Sequence, residues 1–521
     1  MEPSYQSKEI ADMEAYKQVP PMDAPGFVES VAAECGYGIF RHIVEKTNKQ
    51  DYLNYLGKLE SEGFYKVSEV DFMSGKYPYT NATYQKEELI VCVTYSEYWH
   101  RTYITSQPDI FKKDWAAEDV FSDIPECDVK DAKHYGAGNY VIEKKKSKEE
   151  FLSFAKRLEE AGYELYAESH LDQYVYSRTY TRERLTLTLT YLKNTETMYV
   201  SATFDLPLSE HLHERDEAFD EKEKTTLHMV EMWLTGNSFL VQLKNGHFLV
   251  CDGGTDHELR YLIDYMETLT PEGERPVVDA WLISHGHRDH TGVLRMIVDE
   301  DSSLADRMCV NGIYFNEPND DVMNLDSGTR GDFAMLRKVT QYLKDENGQP
   351  TKVYRPQTGQ RYYFCDITAD VMLGQEQIPT EQYSGDLNDS STWYLFTIEG
   401  QRVLIGGDGE VGDMRKIMEI YDRAYMKFEM FSVLHHTLNT WDEFTDYCEV
   451  QTVLGTRRGE PVHNKAANQY LKEQTKDLLK ECKDDKEYYD VYDVYDVDCD
   501  DGTVGDKIFI PKNKMKNVKN K

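Results

Sequence analysis

At 521 residues the chain has room for roughly two to four domains. A composition 40% hydrophobic and 29% charged is globular rather than disordered. A formal net charge of −35 repels phosphate backbones and disfavours broad nucleic-acid binding.

No run approaches the roughly 18 apolar residues a membrane span requires, so no membrane contact is expected. Met1–Ile10 has no basic segment followed by an apolar core, so it does not read as a signal peptide. The nine cysteines are scattered singly, which argues against a disulfide framework or a thiolate zinc site. A cytoplasmic protein is the expectation.

Residues 1–40, with prolines at 3, 20, 21 and 25, read as an N-terminal arm. Two similar α+β units follow, 41–107 and 140–206, separated by a linker at 108–139. Tyr52, Leu53, Tyr55, Leu59 and Gly63 recur as Phe151, Leu152, Phe154, Leu158 and Gly162 at a constant offset of 99. That spacing is a helical stripe, which Ser147 and Glu150 open as a capping box and glycine stops.

Alternating stretches follow each helix, from Tyr84 to Tyr95 and from Tyr180 to Tyr191, and read as strands. Each unit is therefore predicted to be a strand, a helix and about three antiparallel strands. The many tyrosines are read as half-buried strand residues. An aromatic surface for a protein partner or for self-association is the other reading. The connector 207–223 carries His211 and His213, expected to be solvated.

The segment 224–475 opens with three strands, the last ending in Asp252-Gly253-Gly254, and a helix over 256–268. The apolar strand Val277–Ile283 then runs into His285-Gly-His287-Arg-Asp289-His290 before a helix. Four potential metal ligands lie within six residues, at the point where a rigid strand ends. In an extended segment residues two apart point the same way, so His285 and His287 can share one cation. The turn redirects Asp289 and His290 toward a neighbouring one. Imidazole with carboxylate suits zinc, and tolerably iron or manganese.

Three more stretches follow. Asn388 and Asp389 precede a strand, and Arg402–Gly407 is an apolar strand ending at Asp408. Met430–Leu434 is a strand ending in His435 and His436. The tail, 476–521, is acidic and then lysine-rich, and reads as a solvated charge run.

The His-x-His-x-Asp-His pattern after an apolar strand resembles the signature of the metallo-β-lactamase fold. The branch it most resembles includes the hydrolase domain of bacterial DNA-uptake competence proteins and the phosphorylcholine esterases. The resemblance covers residues 224–475 and implies an α/β fold, a four-layer αβ/βα sandwich with metals at one edge. It implies that Asp252 supports the metal loop from behind, that Asp408 bridges two metals, and that His435 or His436 binds the second. The histidine many relatives carry between these motifs has no counterpart, because none occurs from 291 to 434. Asn388 or Asp389 is then the fourth ligand of the first metal.

In the late loop, His463 is a candidate acid or substrate contact or a plain loop histidine. Arg457 and Arg458 are candidate anion contacts or surface charge. Asp289 and His463 stand as the candidate catalytic groups.

The expected activity is that of a metal-dependent hydrolase with two divalent ions, zinc before manganese or iron. The resemblance and the acidic charge together favour a small phosphodiester, attacked by a metal-bound hydroxide. The alternatives are acyl, lactone or lactam hydrolysis, and a binding or regulatory protein that kept the fold.

Overall fold

The computed structural model describes residues 19–22, 33–36, 39–74, 77–87, 89–108, 120–128, 132–135, 139–214, 222–230, 238–254, 259–317, 335–336, 338–377, 387–432, 434–435, 442–454 and 507–509. The N-terminal part builds two six-stranded sheets. The first holds β1 (Ala33–Gly36), β2 (Ile39–Glu45), β3 (Tyr65–Ser74), β4 (Tyr77–Lys86), β5 (Leu89–Ser96) and β6 (Arg101–Pro108). Their order is β1-β2-β6-β5-β4-β3, and helix α1 (Lys49–Ser61) lies between β2 and β3.

The second holds β7 (Lys133–Tyr135), β8 (Asn139–Lys145), β9 (Glu164–Leu171), β10 (Val175–Arg182), β11 (Leu185–Leu192) and β12 (Thr197–Phe204). It has the corresponding order β7-β8-β12-β11-β10-β9, with α2 (Lys148–Glu160) between β8 and β9. β1 and β7 arise from the segments read as arm and linker.

Local chemistry explains the helices. Ser147 Oγ accepts the Glu150 N–H, and Glu150 accepts the Ser147 N–H at 2.9 Å; Asn48 and Asp51 make the same reciprocal pair. Gly63 and Gly162 end the helices at φ near +88° and +87°. The buried stripes are Tyr52, Tyr55, Leu56 and Leu59 on α1, and Phe151, Phe154, Ala155 and Leu158 on α2.

One expectation needs correcting. The stretches 84–95 and 180–191 each break into two strands, β4/β5 and β10/β11. The chain reverses at Glu87 (φ 52°) and Glu183 (φ 53°). Glycine or asparagine signals such a turn, whereas glutamate at a left-handed position carries no such mark.

The C-terminal part builds two more sheets. The third contains β13 (Thr226–Met229), β14 (Ser238–Gln242), β15 (Phe248–Asp252), β16 (Val277–Ile283), β17 (Cys309–Val310), β18 (Gly312–Phe315) and β19 (Lys352–Tyr354). The fourth contains β20 (Arg361–Phe364), β21 (Ile367–Leu373), β22 (Trp393–Ile398), β23 (Gln401–Ile405), β24 (Lys427–Ser432) and β25 (Glu449–Leu454). The helices are α3 (Leu259–Thr268), α4 (Arg288–Asp299), α5 (Val411–Ile420) and α6 (Asp442–Tyr447). A last strand, β26 (Lys507–Phe509), comes from the segment read as a solvated tail and pairs with β13.

Strand direction gathers the functional loops. β15, β16, β18 and β19 run parallel, so their C-terminal ends share one edge. β21 and β23 are both antiparallel to β22, and β24 runs parallel to β23, so these three also end together. Thr392 N–H donates to the Ser284 carbonyl at 2.7 Å and joins the two edges.

Alternate residues on these strands enter different cores. Phe239, Val241, Cys251 and Leu282 pack with Phe364, Val371, Phe396 and Ile405 between the third and fourth sheets. Leu240, Val250, Trp281 and Ile283 pack against residues of α3 and α4. On the fourth sheet, Trp393, Leu395, Leu404 and residues of α5 form a core together with Val141, Leu171, Tyr174, Val175, Leu192 and Tyr199 of the second sheet.

Polar contacts cross the same junction. Ser169 Oγ donates to the Gly359 carbonyl at 2.6 Å, and Thr190 Oγ1 to the Thr358 carbonyl at 3.2 Å. His211, expected in solvent, instead bonds the Tyr363 carbonyl at 2.9 Å and packs on Phe364. No helix among the described residues is long and apolar enough to cross a membrane.

Candidate metal centre

β15 ends at Asp252, held at φ 58° with its carboxylate turned toward the neighbouring strand end. Its Oδ1 accepts the Ser284 N–H at 2.7 Å, and its Oδ2 accepts the Ser284 hydroxyl at 2.8 Å. The same Oδ2 lies 2.8 Å from His290 Nδ1. With the proton on Nδ1, the Nε2 lone pair of His290 faces Asp408, whose Oδ2 is 3.1 Å away.

His435 repeats the arrangement from the other side. Its Nδ1 is 3.1 Å from Glu410 Oε1, and its Nε2 is 3.9 Å from Asp408 Oδ2. Two imidazoles, each backed by a carboxylate, thus converge on one carboxylate oxygen. This is the usual second layer of a metal site, in which the outer carboxylate fixes the tautomer and raises ligand basicity.

Among the described residues, His285, His290 and Asp408 form a buried group whose potential ligand atoms lie within 4.8 Å of one another. Two donors on one tetrahedral cation at about 2.0–2.1 Å stand roughly 3.3 Å apart, so the 3.1 Å separation of His290 and Asp408 suits a shared ion. The donor set, two nitrogens and one carboxylate, fits a divalent cation such as zinc.

The electrostatics differ between the two buried imidazoles. Burial, and then the charges of His290 and His287, hold the His285 imidazole well below its ordinary pKa, in the neutral form a metal requires. For His290 burial also opposes the charge, but Asp408 and Asp252 more than offset it and raise its pKa well above normal.

Several predicted residues stand around this group. His287 is the N-cap of α4, and its Nδ1 is 3.0 Å from His285 Nε2. Asp289 sits half-buried in the first turn of α4. Asn388 Nδ2 lies 3.4 Å from both ring nitrogens of His435. Asp389, the alternative to Asn388, directs Oδ1 to the Gly412 and Asp413 N–H groups at the start of α5. His436, Arg457, Arg458 and His463 lie outside the described residues.

Three site residues were missed in the sequence. Glu410, two residues beyond Asp408, backs His435. Ser284 and Ser391 approach His285 Nδ1 at 3.0 and 3.4 Å. Glu410 had a faint signal, because a carboxylate two residues from another can serve the same centre. The serines had none. A cavity of about 810 Å³, among His247, Asp279, Asn311 and Tyr354, includes none of the candidate residues.

Two variants probe this geometry. Gly407 sits at φ 55°, and an added Cβ would lie 2.5 Å from Ser284 Cβ and Oγ. Gly407→Ala should cost about 2–4 kcal/mol from overpacking and backbone strain, read from denaturant melts. Asp252→Ala removes the partner of the Ser284 N–H, the Ser284 hydroxyl and His290 at once. It should weaken zinc binding about 10–100-fold in a calorimetric titration.

No family model matches the chain, and no curated protein does. Among solved structures, zinc-bound PqqB from Methylobacterium extorquens is similar over 38% of this chain and 58% of its own, with 11% identity and a TM-score of 0.23. The similarity therefore spans a little over half the length of that protein, and so loose a likeness carries no argument about activity.

Proposed function

We propose that the chain is a metal-dependent hydrolase of the metallo-β-lactamase type. The observation that carries this reading is the convergence of His290 and His435, each backed by a carboxylate, on Asp408 Oδ2 beside the buried His285. His285, His290 and Asp408 hold one divalent cation, and His435 extends the set toward a second with Asn388 or His436. A bound cation supplies an acidified water and a centre of positive charge for developing oxyanions. The protein's own groups keep the His285 imidazole neutral, orient His290 and His435 through Asp252 and Glu410, and exclude bulk water by burial.

The resemblance at 285–290, 408 and 435 favours phosphoester substrates, and the charge of −35 favours a small one over long nucleic acid. We read residues 224–475 as a four-layer sandwich and the two N-terminal sheets as copies of one module. The two cores on either side of the inter-sheet core, and the common strand order, support that reading.

The test is elemental analysis of the purified chain, followed by assays with zinc or manganese on bis-p-nitrophenyl phosphate, a lactone and a β-lactam. At least one bound metal per chain and turnover of the diester are expected. Turnover of only the lactone or lactam moves the assignment to acyl chemistry. Bound metal without turnover on any of the three favours a binding protein that kept the fold.

A further inference from the structure

The edge that carries His285 and Asp408 also carries the turn Gln375–Gln377, which follows β21. Its place is fixed by pairing. Phe315 pairs with Ile283, so Asn316 stands beside Ser284; Leu373 pairs with Trp393, so Gly374 stands beside Thr392, which bonds Ser284. Asn316 Nδ2 then donates to Glu376 Oε2 at 2.7 Å, and the Thr358 N–H donates to Glu376 Oε1 at 2.7 Å. Gly374 is locked beneath this turn, since an added Cβ would lie 2.5 Å from Glu376 Oε2. The turn is therefore rigid, and both oxygens of its one charged side chain are engaged.

Its glutamines are different. Gln375 is fully buried, and among the described residues neither its Nε2 nor its Oε1 has a hydrogen-bond partner. Gln377 is 1% exposed, and its Oε1 also has none among them. A buried amide with both ends unsatisfied is costly, and natural folds keep such groups where function requires them.

We propose that this turn is a recognition element of the same active site. It selects substrates that present a hydrogen-bond donor and acceptor side by side near the hydrolysed bond, as an amide or nucleobase edge does. The inference rests on the hydrolase reading. A glutamine amide matches such an edge with two bonds at once, whereas a plain alkyl or phenyl ester leaves it unsatisfied. Because both Glu376 oxygens already accept hydrogen bonds, the groups left to read a substrate are the neutral amides.

The test uses the full chain loaded with zinc or manganese and two chromogenic diesters, thymidine 5′-(p-nitrophenyl phosphate) and phenyl p-nitrophenyl phosphate. The parent should favour the thymidyl ester at least tenfold in kcat/KM. Gln375→Met, which keeps volume and removes the amide, should erase that ratio while melting no lower than the parent. Equal rates on the two esters in the parent overturn this inference and leave the hydrolase reading standing. A ratio retained in Gln375→Met, or a lower melting temperature, overturns it as well. If neither ester is cleaved, the phosphodiesterase reading falls, and a thermal shift with thymidine 5′-phosphate decides this one. A shift in the parent that Gln375→Met loses supports recognition, and no shift overturns it.

Discussion

Replacing Asp408 with alanine is expected to abolish metal binding and lower diester turnover by at least about a thousandfold, while leaving the chain folded. The expectation follows from where Oδ2 sits, 3.1 Å from His290 Nε2 and 3.9 Å from His435 Nε2. It is the one atom common to both imidazoles, so its loss leaves no oxygen donor between them. Nitrogen ligands alone would hold a cation more weakly, and whatever ion remained would sit off the position the fold prepares.

Stability gives an independent readout. A metal at a hundredfold its Kd adds about 2.7 kcal/mol to the folded state, a rise of a few degrees in Tm for a chain of this size. Parent protein stripped with chelator should regain both the rise and the turnover when zinc or manganese is returned. Asp408→Ala should regain neither. Asp205→Ala, at an exposed carboxylate paired with Arg184, is the control expected to respond like the parent. A full metal response and unchanged turnover in Asp408→Ala would refute the assignment.

How much of this centre could be read beforehand depended on whether its chemistry was local. The loop from His285 to His290 is dense in ligands along the chain, so it declared itself. Asp408 and His435 could be found because each ends an apolar strand. The grouping of ligands was legible only in part. Strand alternation pairs His285 with His287, and their ring nitrogens do lie 3.0 Å apart, although the strand ends at Ile283 and His287 already caps α4. The first turn of that helix brings His290 back beside His285, with ring centroids 4.2 Å apart, and the compact group becomes His285, His290 and Asp408.

Ser284, Ser391 and Glu410 matter only through tertiary convergence, which no local pattern announces. The same limit hid the turns at Glu87 and Glu183 and the docking of His211 on Tyr363. The helices of the N-terminal units were legible because caps, stripe and glycine stop all agree within some fifteen residues.

A chain beginning at residue 207 is expected not to fold. Six apolar residues of the second sheet, Val141, Leu171, Tyr174, Val175, Leu192 and Tyr199, belong to the same core as Trp393, Leu404, Ile417 and Tyr421. Burying such side chains contributes roughly 1.5–3 kcal/mol each, so the junction supplies on the order of 10 kcal/mol. A typical domain is stable by only about 5–15 kcal/mol in total. Deletion would also leave Met372, Leu373 and their neighbours facing water, and strip Thr358 and Gly359 of their bonds from Thr190 and Ser169.

The truncated chain should elute as aggregate and lack near-ultraviolet circular dichroism. In the full chain, Tyr174→Ala should cost about 3–5 kcal/mol, since Tyr174 packs against the stacked pair Tyr421 and Tyr425 with ring centroids 5.8 and 5.2 Å away. These outcomes separate two roles for the N-terminal half. An independent binding module could be removed without harm to the half that carries His285, His290 and Asp408. A half that completes its partner's core could not, because Thr358, held by Thr190, itself holds Gly374 and Glu376 at the edge that carries His285 and Asp408.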